Sequence, residues 1–351
     1  MFPQVRASIV TPAIIIIFLV LTLLLSRRPY YNWDMFPYMA IAMADPTISF
    51  DSTHRAVYRE ARQFLPPSDY TAISQRQPAL RDDPKQFEGI LRYFTIKPGY
   101  NLVVALCYRL GVNPVFATCL PSLVSYCLIG CLVYFWNLRH APPIPAALVA
   151  LIVGLAPPMI DLARYSSPDM LCTLISLSGC LLLVRGLMVA GLASLFAATW
   201  VRPDASLLFI LVAVSLSWGK LIRLPHLLIL FGLTSSSLFL LGPELTSEYL
   251  LLDTSLADRF AVYGAGLRSI LQSYSLPALL IGLGTLYLRW ENTKPDLSSL
   301  LVMAAVTSIA LRFMLHPFIE DRFNLPACLL IALTAWDTLA ARHYMPGESK
   351  R

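Results

Sequence analysis

Charge is scarce in this chain: Asp, Glu, Lys and Arg make up 14% of its 351 residues, and 57% are hydrophobic. Soluble domains average roughly 25% charged residues, so a water-soluble globule is excluded. Alternation of apolar and polar residues is also missing. The apolar runs are continuous, which excludes a transmembrane barrel, whose strands alternate with period two. No basic patch is interleaved with aromatics, so a nucleic-acid partner is excluded. The net charge of +6 instead reads as loop lysines and arginines that set membrane orientation. Cys107, Cys119, Cys127, Cys131, Cys172, Cys180 and Cys328 all lie in apolar stretches. They are expected as small buried residues rather than disulfides or metal ligands. Neither an internal repeat nor a low-complexity tract is present. The first apolar run, 9–25, lacks a small-x-small cleavage site before Arg27-Arg28, so it is expected to persist as an anchor.

What the sequence has is span after span. About 20 apolar residues cross a bilayer as a helix, and shorter runs are tolerated. Ten spans are expected, at 9–26, 119–136, 144–160, 169–184, 187–200, 205–218, 227–242, 275–288, 297–315 and 324–340. The expected fold class is therefore an all-α polytopic membrane protein, one domain over 1–351. With the N-terminus in the cytoplasm, the connections carrying Arg139, Arg185, Lys220, Arg223 and Lys294 face inward, as the positive-inside rule requires. Arg27 and Arg28 then fall outside, ahead of a long loop of the kind that crosses largely regardless of charge.

That loop, 27–100, is the main polar region; a second outer loop covers 243–274. After the cap cluster at 51–53, Val57, Tyr58, Ala61, Phe64 and Leu65 share a helical face, and Pro66-Pro67 ends the run. After Asp83-Pro84, Phe87, Ile90, Leu91 and Phe94 repeat at three and four. Both segments read as amphipathic helices in the membrane interface. "PGYNLVVALCYRLG" (98–111) is too short to span comfortably and is taken as interfacial or re-entrant; if it spans, the parity inverts.

Charges at membrane depth are functional candidates by default. Asp34, Asp51, His54, Lys97, Asp169, Arg202, His316, Glu320, Asp321 and Arg322 all fall on the outward side, mostly where apolar spans meet loops. Carboxylates with arginines at a lipid-accessible cleft suit a substrate bearing a phosphate, whose oxygens match the guanidinium fork. Competing readings accompany these residues. Asp34 could cap a helix or pair with Arg27; Asp169, after Pro168, suits a helix first turn. Arg202 could pair with Asp204, and Arg322 with Glu320 or Asp321. His54 and His316 read more simply as polar interface residues, and Asp161 with Arg164 as a local pair. Tyr30, Tyr31, Trp33, Phe36 and Tyr38 read as an interface belt, or as rings that stack on a sugar or isoprenoid.

The stretch "YNWDMFPYMAIA" (31–42) resembles the first outer loop of GT-C glycosyltransferases, polytopic enzymes that take a sugar from a polyprenyl-phosphate carrier on the outer membrane face. The segment 96–130 is similar to the aminoarabinose and protein-mannosyl transferase branch, with Lys97-Pro98-Gly99 replacing its His-Pro-Pro-like corner. "ARYSSPDMLCTLISL", "WVRPDASLLFIL" and "EDRFNLPACLLIAL" resemble its later corners, covering nearly the whole chain in order. The resemblance implies Asp34 as the catalytic residue, Arg202, Arg322 and Lys97 as donor phosphate-binding residues, and Asp169 at the substrate. It also implies a polyprenyl-phosphate sugar donor and a bacterial inner membrane, with the site facing the periplasm. Asp51, His54, His316, Glu320 and Asp321 are expected at the substrate as well. Asp34, Asp51 and His54 could hold a divalent cation, which some GT-C enzymes use, but no tight ligand spacing supports one. The acceptor is left open between a glycolipid, a glycan and a small protein. The rival functions are a flippase for a lipid-linked sugar, a membrane acyltransferase using His316, and a structural subunit.

Overall fold

A computed structural model describes residues 2–223, 225–226, 228–230, 232–234, 273–290, 296–315 and 321–344. Among the described residues every regular element is helical, and the sole β-type pairing is an isolated bridge between Tyr30 and Tyr165. The expected span 227–242 and the loop 243–274 lie almost wholly outside them.

The first helix, α1 (Phe2–Ser26), leans against α9 (Pro114–Asn137) and α10 (Pro143–Gly154). It offers Ile16, Ile17, Leu19, Val20, Leu23 and Leu24 to the surroundings, a face suited to hydrocarbon. Phe18 anchors it: the ring is fully buried in a notch where Gly130 and Gly154 leave no room for even a Cβ. Small residues let helices approach this closely in a membrane. Gly130→Val would overpack the notch at a cost of about 1–3 kcal/mol. It is expected to lower the melting temperature in detergent, whereas Gly89→Ala, in open space, is not.

Between α1 and α9 the chain forms a cap of short helices: α2 (Met35–Met43), α3 (Phe50–Phe64), α4 (Pro67–Ser74), α5 (Pro78–Asp82), α6 (Pro84–Ile90), α7 (Arg92–Thr95) and α8 (Pro98–Arg109). Prolines start four of the seven: with no N–H to satisfy, proline suits the first helical turn. The two amphipathic segments form helices, with differences. Asp83 caps α6, accepting from Lys85 and Gln86 backbone N–H, but the run breaks at Leu91 into α6 and α7. On α3, Val57, Tyr58 and Ala61 are buried as expected, and Phe64 is 42% exposed. α8 has 12 residues, about 18 Å of helix, well short of a roughly 30 Å hydrocarbon core.

The aromatic stretch after α1 corrects the expectation of a belt. Phe36 and Tyr38 are buried within the cap, Phe36 stacked on Tyr58 at 4.5 Å and Tyr38 edge-on to Tyr100 at 4.6 Å. Local sequence marks aromatics beside a membrane; it does not reveal that the cap folds over them.

Among the described residues, four helical segments are long and apolar enough to cross a membrane: Ile9–Ser26, Pro114–Asn137, Leu297–Met314 and Arg322–Ala340. The expected continuous span 144–160 is instead broken. α10 and α11 (Pro157–Arg164) meet at 60°, because Pro157-Pro158 cannot donate back into the preceding turn. The remaining elements are α12 (Asp169–Val184), α13 (Met188–Val201), a 3-10 turn at Pro203–Ala205, α14 (Ser206–Trp218), α15 (Ser275–Trp290), α16 (Leu297–Leu315) and α17 (Asp321–Tyr344). α12 and α13 form a tight hairpin in which Gly179 and Gly191 bring the backbones together. None of the seven cysteines forms a disulfide.

A polar knot ties α9 to α17. Asp337, 2% exposed, accepts from Trp136 Nε1 at 2.9 Å and pairs with Arg139 at 3.4 Å. Arg289 bonds Thr338 and Asp296 beside it. The knot lies 15 residues along α17 from Arg322, about 22 Å of helix. The bundle therefore has two polar ends, one stapled by this knot and the other carrying the candidate site.

Candidate functional site

The site forms where the end of α1, the start of α12, the α13–α14 corner and the start of α17 converge. Proline sets several of these positions. Pro168 precedes α12 and leaves Asp169 as its first residue; Pro203 turns the chain after α13 and exposes Arg202 to the corner. The turn before Asp169 is bolted to α9. Thr118 Oγ1 donates to Ser166 Oγ at 3.0 Å, and Ser122 Oγ to the Ser167 carbonyl at 3.0 Å. Hydroxyls inside an apolar bundle act as such glue. The Tyr30–Tyr165 bridge fixes the chain after α1 to the same turn: Tyr30 N–H donates to the Arg164 carbonyl at 2.9 Å, and Arg164 Nε to the Arg28 carbonyl. Arg164 thus holds backbone rather than pairing with Asp161, which corrects the local-pair reading.

The result is a ladder of alternating charges. Asp204 accepts from Arg312 at 2.5 Å and from both Arg202 Nε and Nη2 at 2.9 Å. Arg202 also pairs with Asp169, which is 2% exposed. Arg322 stands between Asp169 at 3.8 Å and Asp34 at 4.0 Å. Charge-assisted hydrogen bonds are shorter, about 2.7–2.9 Å, so neither carboxylate grips Arg322 directly. The Phe323 ring lies against three guanidiniums: Arg202, Arg322 and Arg312 lie 4.4, 5.1 and 5.9 Å from its centroid, within cation–π range. Burial works to raise the Asp204 carboxyl, yet Arg202 and Arg312 hold it well below the usual carboxylate range.

Lys97 completes the set from the cap. Its Nζ donates to Tyr38 Oη at 3.1 Å and lies over the Phe94 ring at 4.9 Å. Burial, followed by the Arg202 charge, pulls the ammonium down to about 8. It is a cation below that pH and loses its proton as pH rises through it.

Asp34 occupies the N-cap position of α2, but its side chain makes no cap bond and is left to the site. Its ion-pair partner is Arg322 rather than Arg27, and Asn32 Nδ2 donates to Oδ2 at 3.3 Å. Asp34 opens on a cleft of about 620 Å³ whose walls include Tyr30, Trp33, Tyr165, Asp161 and Arg76. Arg322 borders both this cleft and the arginine pocket behind it.

Asp34, Lys97, Asp169, Arg202 and Arg322 are therefore brought together. Asp51 and His54 are not. Asp51 is exposed on the first turn of α3, and His54 is buried in the cap against Tyr58, Phe87 and the Leu80 carbonyl at 3.1 Å. His54 is committed to packing the cap. Among the described residues no group of three His, Cys, Asp or Glu side chains could hold a metal. Asp321 begins α17, while His316 and Glu320 lie outside the described residues. Arg312 was missed, although an arginine inside "SIALRFML" is the signal that membrane charges give. Asn32 and Arg76 carried no comparable signal.

The fold is all-helical, with several helices long and apolar enough for a membrane, and its site is a charge ladder beside an open cleft. No protein-family model, curated protein or solved structure matches the chain.

Proposed function

We propose that this protein is an inverting GT-C-type glycosyltransferase that moves a sugar from a polyprenyl-monophosphate carrier to an acceptor hydroxyl. The observation that carries the reading is the charge balance of the ladder. Among the described side chains, Lys97, Arg202, Arg312 and Arg322 face Asp34, Asp169 and Asp204, four cations against three carboxylates, leaving one positive charge. The donor is a phosphodiester carrying a single negative charge, and Arg322, which lines the cleft beside Asp34, is the cation placed to meet it. Guanidinium groups suit phosphate through their planar fork.

Asp34 takes the acceptor O–H proton as the hydroxyl oxygen attacks the anomeric carbon. The bond from that carbon to the phosphate oxygen breaks, its electron pair leaves with the phosphate, and the configuration inverts. Arg322 and Lys97 stabilise the charge that grows on the departing monoester, the kind of preorganised electrostatic help that dominates many catalysed reactions. Arg202, Asp204 and Arg312 keep Asp169 and Phe323 in register around it.

The proposed layout keeps ten spans, counting the four long helices, the bent pair, the four shorter apolar helices and 227–242. The cap helices α3, α6 and α8 lie in the interface over the site. The site faces the periplasm of a bacterial inner membrane.

The test offers purified protein in liposomes a panel of labelled polyprenyl-phosphate sugars with crude membrane acceptors. Label appearing in a new acceptor supports the reading. Label that crosses the bilayer while still on its carrier replaces it with a flippase. Donor affinity should also fall about tenfold between pH 7 and 9, the size of one lost charged contact, as Lys97 deprotonates. Lys97→Arg should flatten that profile.

A further inference from the structure

The cleft has features that donor binding leaves unused. Asn32, 8% exposed, has one amide end committed: Asp34 can only accept, so Asn32 presents Nδ2 to it. Its Oδ1 is buried without a hydrogen-bond partner, and so is Nε1 of the neighbouring Trp33. Both residues line the cleft. A buried polar atom without a partner costs free energy, and here one orphan acceptor and one orphan donor belong to residues that line the cleft together with the proposed base. A hydroxyl satisfies both kinds, since it donates one proton and accepts through its lone pairs. An amine cannot serve the indole N–H once protonated.

The remaining walls fit a ring. Tyr30 and Tyr165 pair at 4.7 Å with their planes tilted by 39°, and Tyr30 is 43% exposed. Such a surface suits the apolar face of a pyranose. The volume of about 620 Å³ lies within the range of small-molecule sites, roughly 300–1,000 Å³. Charge then selects among rings. With the donor phosphate on Arg322, the other charged walls are Asp34, Asp161 and Arg76, net negative, which opposes an anionic acceptor.

We propose that the cleft is an acceptor subsite for a neutral, polyhydroxylated sugar ring, with Asn32 and Trp33 as its specificity-determining hydrogen-bond pair beside Asp34. It rests on the glycosyltransferase reading for its meaning, but saccharide binding can be measured without turnover. Asn32 Oδ1 accepts from one ring hydroxyl and Trp33 Nε1 donates to another. The hydroxyl between them is presented to Asp34.

The experiment is saturation-transfer NMR on the full chain in detergent. The probes are methyl glycosides of neutral hexoses, the matching methyl uronates, hexose phosphates and a threonine tripeptide. The proposal expects saturation transfer to the neutral glycosides above all others. Asn32→Leu and Trp33→Phe should each weaken it by roughly three- to tenfold, the range of one neutral hydrogen bond. Both variants are first checked for an unchanged elution volume and melting temperature. Trp33→Phe keeps the ring, so it remains informative if Asn32→Leu unfolds the site. Preference for uronates or phosphates overturns the neutral claim, and preference for the peptide overturns the sugar claim. No binding by any probe, or binding unchanged in both variants, overturns the subsite. Binding of polyprenyl phosphate in the same preparation, followed separately, shows whether the donor reading stands when the acceptor subsite fails.

Discussion

Asp34→Asn is expected to reduce sugar transfer roughly a hundred- to ten-thousand-fold, the range a positioned general base contributes, with donor affinity held or improved. The substitution keeps size and the neighbouring Asn32 but cannot accept the acceptor's proton. It also removes one of the two carboxylates that share Arg322. That frees the guanidinium for the donor phosphate, so binding should not fall while turnover collapses. Transfer rates at saturating donor, read beside a donor-binding isotherm, check both halves. Equal loss of binding and turnover would mean that Asp34 serves the donor rather than the proton.

The second large effect separates two arginines that a sequence treats alike. Arg202 is wedged between Asp169 and Asp204, and Asp169 is buried. Arg202→Ala leaves Asp169 without its main counter-charge, and breaking a buried pair by removing one partner costs about 3–5 kcal/mol. Loss of folded protein is the expected outcome, seen as a large drop in melting temperature or in yield from membranes. Arg322→Ala removes a cation that stands 3.8 Å from Asp169 and 4.0 Å from Asp34, at the edge of the cleft. The protein should remain folded, and donor binding should fall about tenfold to a hundredfold, as for a lost charged hydrogen bond. Thermal melting and a donor isotherm on both variants distinguish a structural arginine from one that meets the ligand. If Arg322→Ala melts as low as Arg202→Ala, the ladder is structural throughout.

Much of this arrangement is legible in the chain because proline and carboxylate mark its corners. Pro168-Asp169 and Pro203 announce where α12 begins and where α13 ends, and the helices at 169–184 and 297–315 match the expected spans to the residue. Hydropathy averages hide what Pro157-Pro158 does: a window counts proline as neutral filler while the backbone loses its donor, so the expected single span bends. Burial of Phe36, Tyr38 and His54 depended on a cap that folds back over them, a contact between distant segments that local periodicity does not encode. The charge ladder was half visible. Arg202 beside Asp204 is a two-residue spacing, readable as a pair. Arg312 reaches the same Asp204 across 108 residues, and Arg322 reaches Asp34 across almost the whole chain. Such pairings require the fold. The orphaned Asn32 and Trp33 atoms are a matter of side-chain geometry and leave no trace in composition.

Phosphorus NMR of the donor during incubation with purified protein and membrane acceptor tests the central claim most directly. The account predicts that the polyprenyl phosphodiester signal is replaced by that of a phosphate monoester. Monoester should appear in step with glycosylated acceptor, with wild type and not with Asp34→Asn. A phosphodiester that stays intact, while the labelled sugar moves between leaflets still on its carrier, would contradict it.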